Sequence, residues 1–136
     1  MGLFDVVARP LAALGLAVVR SGPHYDGRRV ERTARTTMVF FRAADAVVLS
    51  VGGALDGTSA PEVLKAVRDL LRDHAAVEID LWHVDDIDAS GLRMLFDAEA
   101  VASERGRAFR IRRDRSPAVE HLLAGLGLDE EPLFRR

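Results

Sequence analysis

The chain of 136 residues has no cysteine. That excludes a disulfide framework, a thiolate metal site and a cysteine nucleophile. It also fits a reducing compartment, so a cytoplasmic location is expected. No transmembrane segment is expected either: the apolar N-terminal stretch is cut by Asp5, Arg9 and Pro10 and falls short of the ~20 apolar residues a spanning helix needs. Histidine is scarce and scattered, at positions 24, 74, 83 and 121. No G-x-S-x-G elbow accompanies these residues, so a Ser–His–Asp hydrolase has no foundation and no enzymatic activity is expected. Lysine is nearly missing: eighteen of the nineteen basic residues are Arg, and only Lys65 is Lys. The arginines are spread along the chain, which points to composition and not to one dedicated site.

What remains is a globular balance. Hydrophobic residues make 49% and charged residues 29%, enough to build one core in a domain of ordinary size. The net charge of −2 argues against a surface devoted to nucleic acid. That small total hides three blocks. Residues 1–37 carry +3, residues 38–104 carry −8, and residues 105–136 carry +3.

Residues 1–37 read as an N-terminal extension. Leu11 to Val19 is apolar and charge-free, and Pro10 suits the start of a short helix closed before Ser21-Gly22-Pro23. Packing on the domain or on a partner is the expected role. A membrane-surface contact and a cleaved signal are the rivals, although the segment lacks a basic leader and a small-residue cleavage site. His24 to Thr36, with Arg28, Arg29, Arg32 and Arg35, reads as a basic linker.

Residues 38–136 read as a domain. The spacing predicts strands over 38–42 and 46–51, the second ended by Gly52-Gly53, joined as an antiparallel hairpin. Ser59-Ala60-Pro61-Glu62 has the form of a capping box with proline in the first turn, opening a helix to about His74 with Val63, Val67, Leu70 and Leu71 inward. A strand over 77–81 follows, then an acidic loop, then a helix from about Ser90 to Arg105 ended by Gly106. A strand over 108–112 and a helix from Ser116-Pro117 to near Gly125 complete the series, and the tail from Leu126 to Phe134 is expected to cover the core edge. The order β-β-α-β-α-β-α implies an α/β fold: a small mixed four-stranded sheet, its first strand antiparallel and the rest parallel, with helices packed against it.

The informative stretch is Asp80 to Leu92. Asp85, Asp86 and Asp88 precede a helix N-terminus, whose dipole favours negative charge, and Asp88 or Ser90 can cap its free amides. Taken alone, Ser90 needs no role beyond that cap. Asp80, His83, Asp85 and Asp86 match no metal-ligand spacing, and neither metal nor cofactor is expected. Arg105, Arg107, Arg110, Arg112, Arg113 and Arg115 read as charge protecting an edge strand more readily than as a nucleic-acid interface.

Three motifs together resemble the STAS domain, the family of anti-sigma factor antagonists and sulfate-transporter tails. Asp88-Ala89-Ser90-Gly91-Leu92 is similar to its D-S-S-G-L or D-T-S-G-L motif. Gly53-Ala54-Leu55-Asp56 is similar to its G-E-L-D turn, and Ile79-Asp80-Leu81 followed by Val84 to its D-L-S-x-V strand. The element order agrees from about residue 38 to the C-terminus. The resemblance implies that Ser90 is phosphorylated by an anti-sigma Ser/Thr kinase, that the unmodified protein binds this kinase and frees a sigma factor, and that phosphorylation ends the binding, a phosphatase resetting the switch. It implies partner contacts at Asp56, Asp85, Asp86, Asp88, Ala89, Ser90 and Gly91. Asp56 also suits a turn, and Asp88 a cap that orients Ser90. A phosphate would add roughly −1.5 to −2 charge beside three carboxylates, which disfavours an interface that must desolvate. The sequence departs from the pattern at Ala89, where a hydroxyl is usual, at Ala54, where Glu is usual, and at His83, where a small Ser is common. The alternative is a STAS interaction module with no phosphoryl switch, such as a subunit of a lipid-transport ATPase complex or a signalling scaffold.

Overall fold

The computed structural model describes residues 36–135. The short helix and most of the basic linker expected within residues 1–37 lie outside the described residues. Strand β1 (Thr36–Arg42) turns back through Ala43, whose amide bonds the Ala46 carbonyl at 2.8 Å, into β2 (Val47–Leu55). Helix α1 (Ala60–Asp73), β3 (Ala76–Ile87), α2 (Ala89–Glu104), β4 (Ala108–Ile111) and α3 (Pro117–Leu126) follow. The sheet order is β1-β2-β3-β4, with β1 antiparallel to β2 and the other pairs parallel. This is the mixed α/β sheet that the alternation of strand and helix patterns implies.

The core lies between one sheet face and the helices. Met38, Phe40, Leu49, Val51, Val77 and Ile79 point into it from the strands. Val63, Val67 and Leu71 of α1, Leu92 and Leu95 of α2, and Val119 and Leu123 of α3 meet them. The C-terminal tail closes this layer. Phe134 is fully buried and stands edge-on to Phe96, ring centroids 5.5 Å apart.

Several local expectations are corrected. Gly52-Gly53 does not end β2, which continues to Leu55. Gly53 takes a positive φ of 83°, open to glycine, and so carries the strand through an irregular register. β3 is longer than expected, at twelve residues, because it absorbs two bulges. From Ser50↔Asp80 to Gly52↔His83, β3 advances three residues against two on β2; from Gly53↔Val84 to Ala54↔Asp86, it advances two against one. Each extra residue flips the alternation. The inward set Val77, Ile79, Leu81 therefore jumps to Val84, and the simple period of two that marks a strand is lost from sequence.

Ser59 is not a side-chain cap. It already has helical φ/ψ, its hydroxyl donates to the Ala54 carbonyl at 2.8 Å, and no bond returns from Glu62 among the described residues. Asp56 takes over, accepting the Thr58 and Ser59 amides at 3.0 and 3.2 Å. Gly127, with φ of 69°, ends α3 in place of Gly125. Arg115 is no part of a surface cluster. Its side chain is 3% exposed, donating to the Phe134 carbonyl at 2.9 Å and pairing with Glu120 at 3.2 Å. Arg110 and Arg112 do lie on the outside, beside edge strand β4, where both pair with Glu78.

Candidate functional site

The C-terminal ends of β2 and β3 place two segments side by side: the loop from Asp56 to Ser59, and the first turn of α2. In the loop, the Asp56 carboxylate holds two amides, and its own amide donates to the Ser59 hydroxyl at 3.0 Å. The short polar side chain thus folds the loop back on itself. Gly57 and Thr58 are left at the exposed tip.

The expected acidic loop before α2 is strand for most of its length. Asp85 and Asp86 belong to the last, bulged part of β3, and both are exposed; only Asp88 lies between strand and helix. Asp88 is extended, with φ −120° and ψ −172°, and its carboxylate accepts the Gly91 amide at 3.0 Å. It is therefore the N-cap of α2. Its own amide bonds the Leu55 carbonyl at 3.4 Å, which ties the start of α2 to the end of β2.

This cap changes the meaning of Ser90. The helix begins at Ala89, one residue earlier than expected, so Ser90 sits inside the first turn and does not cap it. Ser90 is exposed, and its hydroxyl makes no hydrogen bond among the described residues. Gly57 faces it across the site: a Cβ built there would lie 3.6 Å from Ser90 Oγ. Gly91 is buried in the opposite direction. A Cβ on Gly91 would overlap the Leu55 carbonyl oxygen and stand 2.9 Å from its carbon. The turn is pressed onto β2 through Gly91 and offers Ala89 and Ser90 outward.

Asp85, Asp86, Asp88, Ala89 and Ser90 are all exposed, at the end of β3 and the start of α2, and Ser90 faces the loop that Asp56 shapes. Gly91 lies beneath, and Asp56 is half-buried within its own hydrogen bonds. Asp80 is set apart on β3, where its carboxylate accepts the Trp82 amide at 3.0 Å across the first bulge. Among the described residues no three His, Asp or Glu side chains converge to hold a metal ion. Ala54, where the family pattern has Glu, is 1% exposed and lies beneath the site.

Two residues escape the sequence reading. Gly57 is one: a lone glycine in a loop carries no pattern that would place it against Ser90. Trp82 is the other. The only tryptophan of the chain is 54% exposed and lines a groove of about 790 Å³ with Glu78, Asp80, Arg112, Arg113 and Asp114. An alternating strand would have given the inward and outward positions correctly up to Leu81, and the bulge after it hides what Trp82 and His83 do.

Comparison with known proteins bears out the fold. The family described as "Mlab, STAS domain" matches residues 39–135. An anti-sigma factor antagonist from Mycobacterium paratuberculosis superposes with a TM-score of 0.58 at 27% identity, covering 74% of this chain and 86% of its own. The anti-sigma factor antagonist SpoIIAA in its unphosphorylated form gives 0.55 at 14% identity, covering 67% and 81%. A sulfate transporter family protein from Wolinella succinogenes gives 0.52 at 20% identity, covering 65% and 71%. No curated protein matches in sequence. The family match takes in every element except the first three residues of β1, and the chain belongs to the STAS domain family.

Proposed function

We propose that this protein is an anti-sigma factor antagonist that binds an anti-sigma Ser/Thr kinase through the edge formed by Asp85, Asp86, Asp88, Ala89 and Ser90 and by the Asp56 loop. Phosphorylation of Ser90 switches the binding off, and a phosphatase restores it. Residues 38–136 form the binding domain, and residues 1–37 are an extension to it. The STAS family is one of non-catalytic antagonist and interaction modules, and on this reading the chain acts by association. Among the described residues no helix is long and apolar enough to cross a membrane.

One observation carries the reading. Asp88 does the capping, which leaves the Ser90 hydroxyl exposed and without a hydrogen bond among the described residues. A kinase can reach it without unfolding the helix. The modified side chain would sit in the first turn of a sixteen-residue helix, where the free amides and the dipole favour negative charge, so the fold tolerates it. A docked partner faces a different balance. New charge lands beside Asp85, Asp86 and Asp88, and like-charge repulsion and desolvation both oppose the interface.

A second reading is a STAS interaction module without a switch, such as a subunit of a lipid-transport ATPase complex. The observation that favours it is the Mlab type of the matching family, together with Ala at positions 54 and 89 where the antagonist pattern is polar. Calorimetric binding to candidate anti-sigma kinases separates the two. The first reading expects Ser90→Ala to bind like the wild type and Ser90→Asp to bind at least about tenfold more weakly, a loss near 1.4 kcal/mol. Equal binding of both variants, with capture of a transporter subunit in place of a kinase, would establish the second.

A further inference from the structure

Gly53 is required by its positive φ, and Gly91 by the lack of room for a Cβ. Neither reason holds for Gly57. Among the described residues the glycines of positive φ are Gly53, Gly106 and Gly127. A Cβ on Gly57 would lie 3.6 Å from Ser90 Oγ and 3.9 Å from Ser90 Cβ, which is ordinary van der Waals contact. Alanine would therefore suit both the backbone and the space. What glycine does at this exposed position is leave the space in front of the hydroxyl empty. The gap is held from both sides. On the loop side, the Asp56 carboxylate accepts the Thr58 and Ser59 amides, and the Ser59 hydroxyl donates to the Ala54 carbonyl. On the helix side, the Asp88 amide bonds the Leu55 carbonyl and Gly91 packs on the same residue. Both walls hang from the end of β2, so the fold sets their separation.

We infer that Gly57 is a positioning residue for phosphoryl transfer to Ser90: its bare Cα keeps open a sector through which the donor reaches the hydroxyl. The inference rests on the reading of Ser90 as the acceptor. In the transfer, a bond forms between Ser90 Oγ and the terminal phosphorus of the kinase's nucleoside triphosphate. The bond from that phosphorus to its bridging oxygen breaks, and the hydroxyl proton passes to a base of the kinase. The reacting atoms must approach to roughly 3–3.5 Å before bonds change. A methyl group at position 57 would stand 3.6 Å from Oγ, at the rim of that sphere, and a branched side chain would reach across it. The incoming phosphorus brings three further oxygens and cannot share the sector with such a group. Position 57 therefore bears on the transfer step more than on docking, which the exposed acidic residues serve.

Two measurements on the full chain test this. In the first, a cognate anti-sigma kinase and ATP act on the wild type, Gly57→Ala and Gly57→Val. The expected kcat for Ser90 phosphorylation falls at least about threefold in Gly57→Ala and at least about tenfold in Gly57→Val, while KM moves less than about twofold. The urea midpoints stay with the wild type; if Gly57→Val alone is destabilised, Gly57→Ala carries the comparison. In the second, Ser90→Cys supplies a single thiol, since the chain has no native cysteine. Gly57→Val is expected to slow its reaction with a maleimide at least about tenfold, without any kinase present. An unchanged kcat in Gly57→Val, or a raised KM with kcat intact, would overturn the inference and leave the reading of Ser90 standing. Unslowed maleimide reaction would overturn it too. Slowed maleimide reaction with no phosphate on the wild-type Ser90 would remove the acceptor reading, and the positioning role with it, while leaving Gly57 as the residue that keeps position 90 open.

Discussion

Gly91 and Leu55 are in such close approach that no side chain larger than hydrogen fits between them: a Cβ on Gly91 would stand 2.9 Å from the Leu55 carbonyl carbon and overlap its oxygen. The obstacle is backbone, which cannot swing aside as a flexible side chain could. Gly91→Ala is therefore expected to destabilise the fold by at least about 2 kcal/mol through forced displacement of α2 or β2. Urea unfolding measures this directly. The same shift moves Ser90 relative to Gly57, so partner binding should fall further than stability alone explains.

Asp88 and Ser90 should separate cleanly in stability. Removing the cap in Asp88→Ala costs about 1 kcal/mol, because the Gly91 amide loses its acceptor. Ser90→Ala is expected to stay within about 0.5 kcal/mol of the wild type, as its hydroxyl bonds nothing among the described residues. A midpoint shift for Ser90→Ala as large as that for Asp88→Ala would return Ser90 to a structural role.

The sequence carries more of the fold than of the site. The amphipathic spacing of Val63, Val67, Leu70 and Leu71 and the Ser116-Pro117 start are local signals, and the structure follows them. The hairpin also follows, because the four residues between Arg42 and Val47 leave little alternative to an antiparallel return. The site is harder to read for a specific reason. Both bulges of β3 fall between Asp80 and Asp86, and each breaks the alternation that identifies a strand. The stretch then looks like a polar loop. From that error follows the next, since a loop running to Ser90 makes Ser90 a natural cap. In the structure β3 reaches Ile87 and the cap falls on Asp88. Ser59 fails in a similar way: the capping box is a pattern of residue types, and Asp56 accepts the Ser59 amide that Glu62 was expected to take, while the Ser59 hydroxyl turns to the Ala54 carbonyl.

Arg115 ties the C-terminal tail to α3. Its guanidinium is buried between the Phe134 carbonyl and Glu120, so truncation leaves a buried acceptor unpaired and the Phe134 anchor loosened. Arg115→Ala is expected to cost about 2 kcal/mol or more, and Arg115→Lys to recover only part of it, since one ammonium cannot reproduce both bonds of the planar fork. Thermal unfolding of the two variants checks the order.

His74 supplies an acid-sensitive contribution. Burial holds its imidazole below the ordinary value of 6.5, and Arg42 and Arg107 add to the effect while Asp73 opposes it. The folded state thus prefers neutral His74, and the unfolded state takes up its proton first. Stability from this residue is full above about pH 6.5 and is lost as pH falls through that value towards the lowered one. Unfolding free energies measured between pH 7.5 and about pH 5 should decline less steeply in His74→Gln than in the wild type. An unchanged slope would show that the neutral imidazole is not favoured by folding.

Ser90 is proposed to offer an exposed hydroxyl, unbonded among the described residues, on which a partner kinase acts. Incubation of the full chain with a cognate anti-sigma Ser/Thr kinase and ATP, followed by phosphosite mapping by mass spectrometry, tests it most directly. The account predicts one phosphate on Ser90, none on Ser90→Ala, and loss of the kinase complex in step with its appearance. Phosphate on another residue, at a rate Ser90→Ala leaves unchanged, would contradict it.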